Sequence, residues 1–178
     1  MEQASPWVVR FAPLLPPGGE VLDLACGGGR HARLLARRGH TVLAVDRDGA
    51  LLAGVRAPGI DTLEFDLESG APWPFEAARF AAIVVTNYLH RPLFADLIRS
   101  LAEGGVLIYE TFADGNQRFG RPARADFLLR RGELLDVARI GGLHVLAYED
   151  GCTERPKPAI VQRICAVRTS DPACLRLD

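Results

Sequence analysis

The densest set of chemically competent residues is Val21-Leu22-Asp23-Leu24-Ala25-Cys26-Gly27-Gly28-Gly29-Arg30-His31, an apolar run with one acid that meets three glycines and then two bases. Glycines so placed let the backbone approach a ligand closely and aim free N–H groups at it. Gly27-x-Gly29-x-x-Ala32 satisfies the loose dinucleotide pattern, so this loop alone does not choose among adenosine-bearing cofactors. Asp23, inside the apolar run, suits a ligand carrying an ammonium group better than a pyrophosphate already burdened with negative charge. Asp46 ends a second apolar run, where a carboxylate can accept from both hydroxyls of a ribose; NAD and S-adenosylmethionine (SAM) share that ribose. Asp66-Leu67 ends a third run and offers an acceptor to the amino group of adenine.

Further candidates carry two readings each. Tyr88 and His90 follow a fourth apolar run and are the titratable groups nearest a reacting centre at the strand ends. Alternatively, His90 stands at the N-cap of a helix opened by Pro92, with Arg91 solvated beside it, and Tyr88 is a packing aromatic whose hydroxyl meets backbone. Arg30 and His31 open a helix, where cations face an unfavourable dipole; contact between Arg30 and a ligand carboxylate would offset that cost. Arg118, Arg121 and Arg124 lie in an irregular stretch, Ala113 to Ala125, and can clamp an anion through forked guanidinium bonds or stand as a solvated loop balanced by Asp114 and Asp126. Trp73-Pro74-Phe75 reads as packing with partial contact to adenine. Cys26 has no basic partner to activate it. Cys26, Cys152, Cys165 and Cys174 show neither CxxC pairing nor His-ligand spacing, so no metal site is expected.

The elements that must position these residues follow from periodicity. Glu20 to Cys26, Thr41 to Asp46, Ile60 to Leu67, Phe80 to Asn87 and Gly105 to Phe112 read as strands, the fourth apolar enough to be buried on both faces. His144 to Glu149 and Ile160 to Arg168 add two more. Between them, Arg30 to Arg38 forms a helix closed by Gly39, Leu93 to Leu101 forms one apolar stripe ending at Gly104-Gly105, and Glu133 to Ile140 forms another helix. Pro6 to Leu15 reads as a short leading helix. Alternating strands and helices specify an α/β protein: a doubly wound, mostly parallel, Rossmann-like sheet with helices on both faces.

The chain has 178 residues, 48% apolar and 24% charged, which predicts one globular domain with its core between about 15 and 168 and a frayed tail over 169–178. The longest apolar run, Phe80 to Val85, is far below the roughly 20 residues of a membrane helix. Twenty-one basic against 22 acidic residues leave a formal net charge of −1, which argues against a global grip on nucleic acid. The N-terminal residues lack the basic start and apolar stretch of a secretory signal, so a cytoplasmic location is expected.

In order along the chain, Val21 to Gly29, Thr41 to Asp46, Leu63 to Leu67, Phe80 to Asn87 and Leu101 to Phe112 with its Glu-Gly-Gly turn resemble the motifs of the class I SAM-dependent methyltransferases. Gly-Gly-Gly-Arg-His followed by Leu-Leu-Ala-Arg-Arg-Gly-His is similar to the small stand-alone branch that includes the tellurite-resistance methyltransferases. The resemblance implies SAM as cofactor, a seven-stranded sheet and an antiparallel last strand. It places Gly27 and Gly29 under the methionine part of SAM, Asp23 near its ammonium, Asp46 on the ribose, Asp66 on the adenine amino group, the Leu67 N–H on a ring nitrogen and Asn87 beside the transferred methyl. Ala25 stands where the family often has its first glycine. Asn87-Tyr88-Leu89-His90 departs from the Asn-Pro-Pro-Tyr pattern of enzymes that methylate exocyclic amines or glutamine side chains. A small, anionic methyl acceptor held by Arg118 and Arg121 is the resulting expectation. An NAD-binding oxidoreductase, a SAM-binding protein without catalysis, and a methyltransferase with an RNA or protein acceptor are the alternatives.

Overall fold

The computed structural model describes residues 3–155 and 157–171. Seven strands form one sheet: β1 (Glu20–Leu24), β2 (Thr41–Asp46), β3 (Ile60–Glu64), β4 (Phe80–Thr86), β5 (Leu101–Phe112), β6 (His144–Thr153) and β7 (Ala159–Val167). Their spatial order is β3-β2-β1-β4-β5-β7-β6. β1 to β5 pair in parallel, while β7 runs antiparallel to both β5 and β6, so the reversed strand is the last one, as expected. The chain order reverses direction across the sheet between β1 and β4, the switch point where open α/β sheets bind ligands beyond their carboxyl ends.

Alternation along the strands divides the core in two. Leu22, Leu24, Ile83 and Val85 pack on one face with Phe75, Leu97 and Leu134. Val21, Ala82, Val84 and Ile108 pack on the other with Trp7, Phe11 and Leu35. Residues 80–85 are all buried because helices cover both sides of this central strand. The helices are α1 (Pro6–Phe11), α2 (Arg30–Arg37), α3 (Gly49–Ala53), α4 (Phe94–Ser100) and α5 (Glu133–Ile140). No helix among the described residues is long and apolar enough to cross a membrane.

Several boundaries differ from the sequence expectation. β1 stops at Leu24 and β3 at Glu64, which leaves Cys26, Asp66 and Leu67 on turns beyond the strand ends. The leading helix is α1 alone, followed by a single 3-10 turn over Ala12–Leu14. The stripe from Leu93 does not run to Gly104: α4 ends at Ser100, and Leu101 already belongs to β5. Gly104 and Gly105 lie inside that strand, where the β4–β5 register jumps and a side chain on Gly105 would meet Phe80 O at 3.1 Å. α3 escapes the periodicity argument because five residues carry too little pattern; its start is set by Asp48, whose Oδ1 accepts from the N–H groups of Ala50 and Leu51. Tail residues 172–178, including Cys174, lie outside the described residues.

Candidate active site

The glycine loop is built by left-handed backbone at three of its residues: Ala25 (φ 51°), Gly27 (φ 54°) and Gly29 (φ 70°). Ala25 therefore carries strain of about 1–2 kcal/mol that glycine at the same place would not. A side chain on Gly29 would strike Val55 Cγ1 at 2.5 Å, so this glycine serves close packing of the turn. Around Gly27 and Gly28 the space is open, which is the room a ligand needs.

Asp46 joins the loop to the end of β2. Its Oδ2 accepts from Gly27 N at 2.7 Å and its Oδ1 from Asp48 N at 3.0 Å. Each carboxylate oxygen keeps a further lone pair, so the group can still accept from two hydroxyls. Asp66 Oδ1 accepts from Glu68 N at 2.9 Å, which fixes the turn after β3.

A cavity of about 200 Å³ opens between these turns, with Ala25, Asp46, Asp66, Leu67 and Tyr88 in its wall. Arg47, Phe65 and Glu68 complete it; none of the three carries a signal of its own in the sequence, although each adjoins a candidate residue, Asp46, Asp66 or Leu67. The Tyr88 hydroxyl is buried without a hydrogen bond, an orphan donor that a polar ligand would satisfy. Burial, with the Glu68 carboxylate nearby, pushes the Tyr88 phenol well above its ordinary range. Tyr88 is thus neither bonded to backbone nor disposed to act as a base.

Asp23 lies 1% exposed in β1, below the glycine loop, with Oδ2 accepting from Ala32 N at 2.8 Å. Burial pushes its carboxyl up to about 7, against the opposing effects of the Ala32 hydrogen bond and Arg30. A ligand cation would restore the ionised form. Asn87, just past β4, is exposed and held at φ 56°, with its N–H on Glu110 O at 2.9 Å. Asparagine tolerates this left-handed backbone better than most residues.

Of the expected cofactor residues, Asp46, Asp66 and Leu67 wall the cavity, whereas Asp23, Gly27, Gly29, Arg30 and Asn87 do not, and the remaining candidates other than Tyr88 also stand apart from it. His90 is the N-cap of the 3-10 turn Arg91–Leu93 but its side chain makes no capping hydrogen bond. Arg91 is not solvated: it forks onto Glu133 through Nε (2.6 Å) and a terminal nitrogen (2.9 Å), and donates to Asp126 O and Leu128 O. Trp73 turns onto Ser100 Oγ at 2.8 Å and stacks edgewise on Phe75, so it packs rather than lining the cavity. Arg118 and Arg121 are exposed on the loop after β5, whereas Arg124 pairs with Asp126. The buried Asn116 pins that loop through Pro122 O and Ile160 N. Two larger cavities lie elsewhere, one of about 590 Å³ between α4 and α5 and one of about 520 Å³ beside Asp114 and Tyr148. Neither is lined by the glycine loop or Asp46, and size alone does not make a cofactor site.

Comparison with known proteins agrees with this geometry. The methyltransferase-domain family model matches residues 21–105, from β1 through the β4–β5 junction. A trans-aconitate 2-methyltransferase from Acidovorax sp. (strain JS42) is 35% identical over 97 residues, covering 52% of this chain and 38% of its own length. The chain thus spans well under half of that relative. A protein-L-isoaspartate O-methyltransferase from Rhodopseudomonas palustris (strain BisB5) is 30% identical over 154 residues, covering 82% of this chain and 70% of the relative. Among solved structures, TehB from Haemophilus influenzae superposes with a TM-score of 0.76 at 20% identity, over 93% of this chain and 63% of that one. With its switch-point cavity, its glycine loop tied to an acid at the end of β2 and a matching relative along most of its length, the chain belongs to the class I SAM-dependent methyltransferases.

Proposed function

We propose that this chain binds SAM at the switch-point cavity and transfers its methyl group to a small anionic acceptor. The observation that carries the reading is the bond from Gly27 N to Asp46 Oδ2, which locks the glycine loop to a carboxylate with lone pairs left for a ribose. Asp46 would hold the ribose hydroxyls, Asp66 and the Leu67 N–H the adenine, and Asp23 the ammonium, with Gly27 and Gly28 leaving room for the backbone to approach. Arg30, at the start of α2, would meet the ligand carboxylate. Bound SAM supplies an electrophilic methyl on a sulfonium.

The protein's own share is positioning and exclusion of water, because positive charge disperses as the methyl leaves sulfur. Asn87 and Tyr88 stand at the end of β4, where the acceptor must arrive. With its phenol held protonated, Tyr88 acts as a hydrogen-bond donor toward the ligand. An anionic acceptor needs no base, so neither Tyr88 nor His90 has to remove a proton. Arg118 and Arg121 would draw the anion in, and both curated relatives described above are named for methylation of trans-aconitate or of isoaspartate.

Methyl transfer from isotopically labelled SAM, offered trans-aconitate, tellurite and an isoaspartyl peptide, tests the acceptor class. Label on either small anion with none on the peptide is the expected outcome; label on the peptide alone moves the reading to a protein acceptor. Replacing Arg118 and Arg121 by Ala is expected to raise acceptor KM by about tenfold or more, the worth of a charged hydrogen bond, and to leave the KM for SAM unchanged. Asp46→Ala is expected to weaken S-adenosylhomocysteine binding by roughly 10–100-fold on the same grounds.

A further inference from the structure

The switch-point cavity is smaller than the cofactor assigned to it. Its volume of about 200 Å³ falls short of the roughly 300–1,000 Å³ of sites that enclose a drug-sized ligand, so it receives one part of SAM and leaves the rest outside. The wall tells which part. Asp46, the acid expected on the ribose, and Asp66 and Leu67, the expected adenine contacts, all line it. Asp23, Gly27, Gly29 and Arg30, expected around the methionine moiety, do not, and neither does Asn87, expected beside the transferred methyl. A side chain in this wall therefore meets the nucleoside rather than the sulfonium.

Tyr88 belongs to that wall. The carboxylates of Asp46, Asp66 and Glu68 only accept, so the side-chain donors of the cavity are Tyr88 and Arg47. Arg47 is exposed and solvated, whereas the Tyr88 hydroxyl is shielded from solvent and makes no hydrogen bond among the described residues. The main chain of Tyr88 is held in place, its carbonyl accepting from the buried Tyr109 hydroxyl at 2.8 Å. Burial keeps the Tyr88 phenol protonated, so it is a donor at neutral pH. A buried donor without an acceptor is costly, and a ligand that brings an acceptor removes the cost. Adenine brings ring nitrogens N1, N3 and N7; Asp66 would take its amino group and the Leu67 N–H one of the nitrogens, which leaves acceptors for a further donor. We propose that Tyr88 is a specificity-determining residue whose hydroxyl donates to a ring nitrogen of the adenine, and not a base at the transferred methyl. The proposal rests on the SAM-binding reading above.

Tyr88→Phe deletes the hydroxyl and keeps the ring, so it separates recognition from packing. The measurements are the Tm of the ligand-free protein and calorimetric titration with S-adenosylhomocysteine and with its 1-deaza, 3-deaza and 7-deaza analogues, each lacking one ring nitrogen. Tyr88→Phe is expected to raise the Kd for S-adenosylhomocysteine by about tenfold, the loss of one buried hydrogen bond, and to leave the ligand-free Tm unchanged or raised, because no bond within the protein is lost. With one of the three analogues, wild type and Tyr88→Phe are expected to bind within about twofold of each other, while the tenfold gap persists with the other two, which identifies the nitrogen as in a double-mutant cycle. An S-adenosylhomocysteine Kd in Tyr88→Phe within about twofold of wild type overturns the proposal, and so does a tenfold gap that survives with all three analogues. A lowered ligand-free Tm overturns it as well, since that marks a bond from the hydroxyl to the Glu68 carboxylate nearby rather than one reserved for the ligand. Wild-type protein that binds no S-adenosylhomocysteine overturns the SAM-binding reading and this assignment together; wild-type binding with an unaffected Tyr88→Phe removes the assignment alone.

Discussion

Asp23 has the clearest physical signature of any single residue here. Its carboxyl, near 3.8 in the unfolded chain, rises to about 7 in the folded protein because burial penalises the charge. The folded state therefore holds the extra proton between those values, and the contribution of this group to stability declines as pH rises from about 4 to 7. A ligand ammonium beside it favours the ionised form, so binding must release a proton below about pH 7. The affinity for S-adenosylhomocysteine is expected to rise by up to about tenfold per unit as pH increases toward 7, and to level off above it. Titration in buffers of different ionisation enthalpy detects the released proton directly. Asp23→Asn is expected to abolish this dependence; a pH-dependent affinity that survives the substitution would assign it to another group. The place of Asp23 before the glycines made it a candidate from the sequence. Its shifted pKa was not, because burial depends on α2 and the neighbouring strands.

At the scale of elements, the forked pair of Arg91 and Glu133 ties the turn ahead of α4 to the first residue of α5. The same guanidinium satisfies the carbonyls of Asp126 and Leu128, so it also fastens the end of the arginine-bearing loop. A lysine cannot reproduce two parallel N–H···O bonds and two carbonyl contacts. Arg91→Lys is expected to cost about 1–2 kcal/mol, allowing for partial exposure of the pair, and to lower Tm by a few degrees. An unchanged Tm would mean that the contacts are replaced by water without loss. The sequence showed α5 with its limits correct, since its apolar spacing and the flanking glycines agree. It misplaced the end of α4, because Leu101 extends the helical stripe and yet is claimed by pairing with Phe80 across the sheet.

For the whole molecule, ligand binding and folding are one equilibrium. A ligand that binds only the native state at about 100 times its Kd adds roughly 2.7 kcal/mol, which for a chain of this size raises Tm by roughly 5–10 °C. SAM and S-adenosylhomocysteine are expected to produce that shift, and NAD and NADP none; stabilisation by NAD alone would move the chain to the oxidoreductase alternative. Among the described residues, the loop after β5, which carries Arg118 and Arg121, follows the carboxyl end of that strand directly and belongs to none of the helices that cover the sheet.

The sequence by itself determined the α/β class, the seven strands with ends misplaced by up to four residues (β5 starts at Leu101 rather than Gly105, and β6 runs to Thr153 rather than Glu149), and the acids and glycines of the cofactor motifs, because these depend on local periodicity and on spacing along one strand and its following turn. Only the tertiary structure decided which of those residues share a cavity. It put Tyr88 in the wall with an unpaired hydroxyl, left His90 out of it, turned Trp73 onto Ser100 and tied Arg91 to Glu133. It also joined Ser5 to His31 and Glu110, three residues far apart in the chain. Such contacts are set by strand order and by the faces the helices cover, and one-dimensional spacing carries no trace of either.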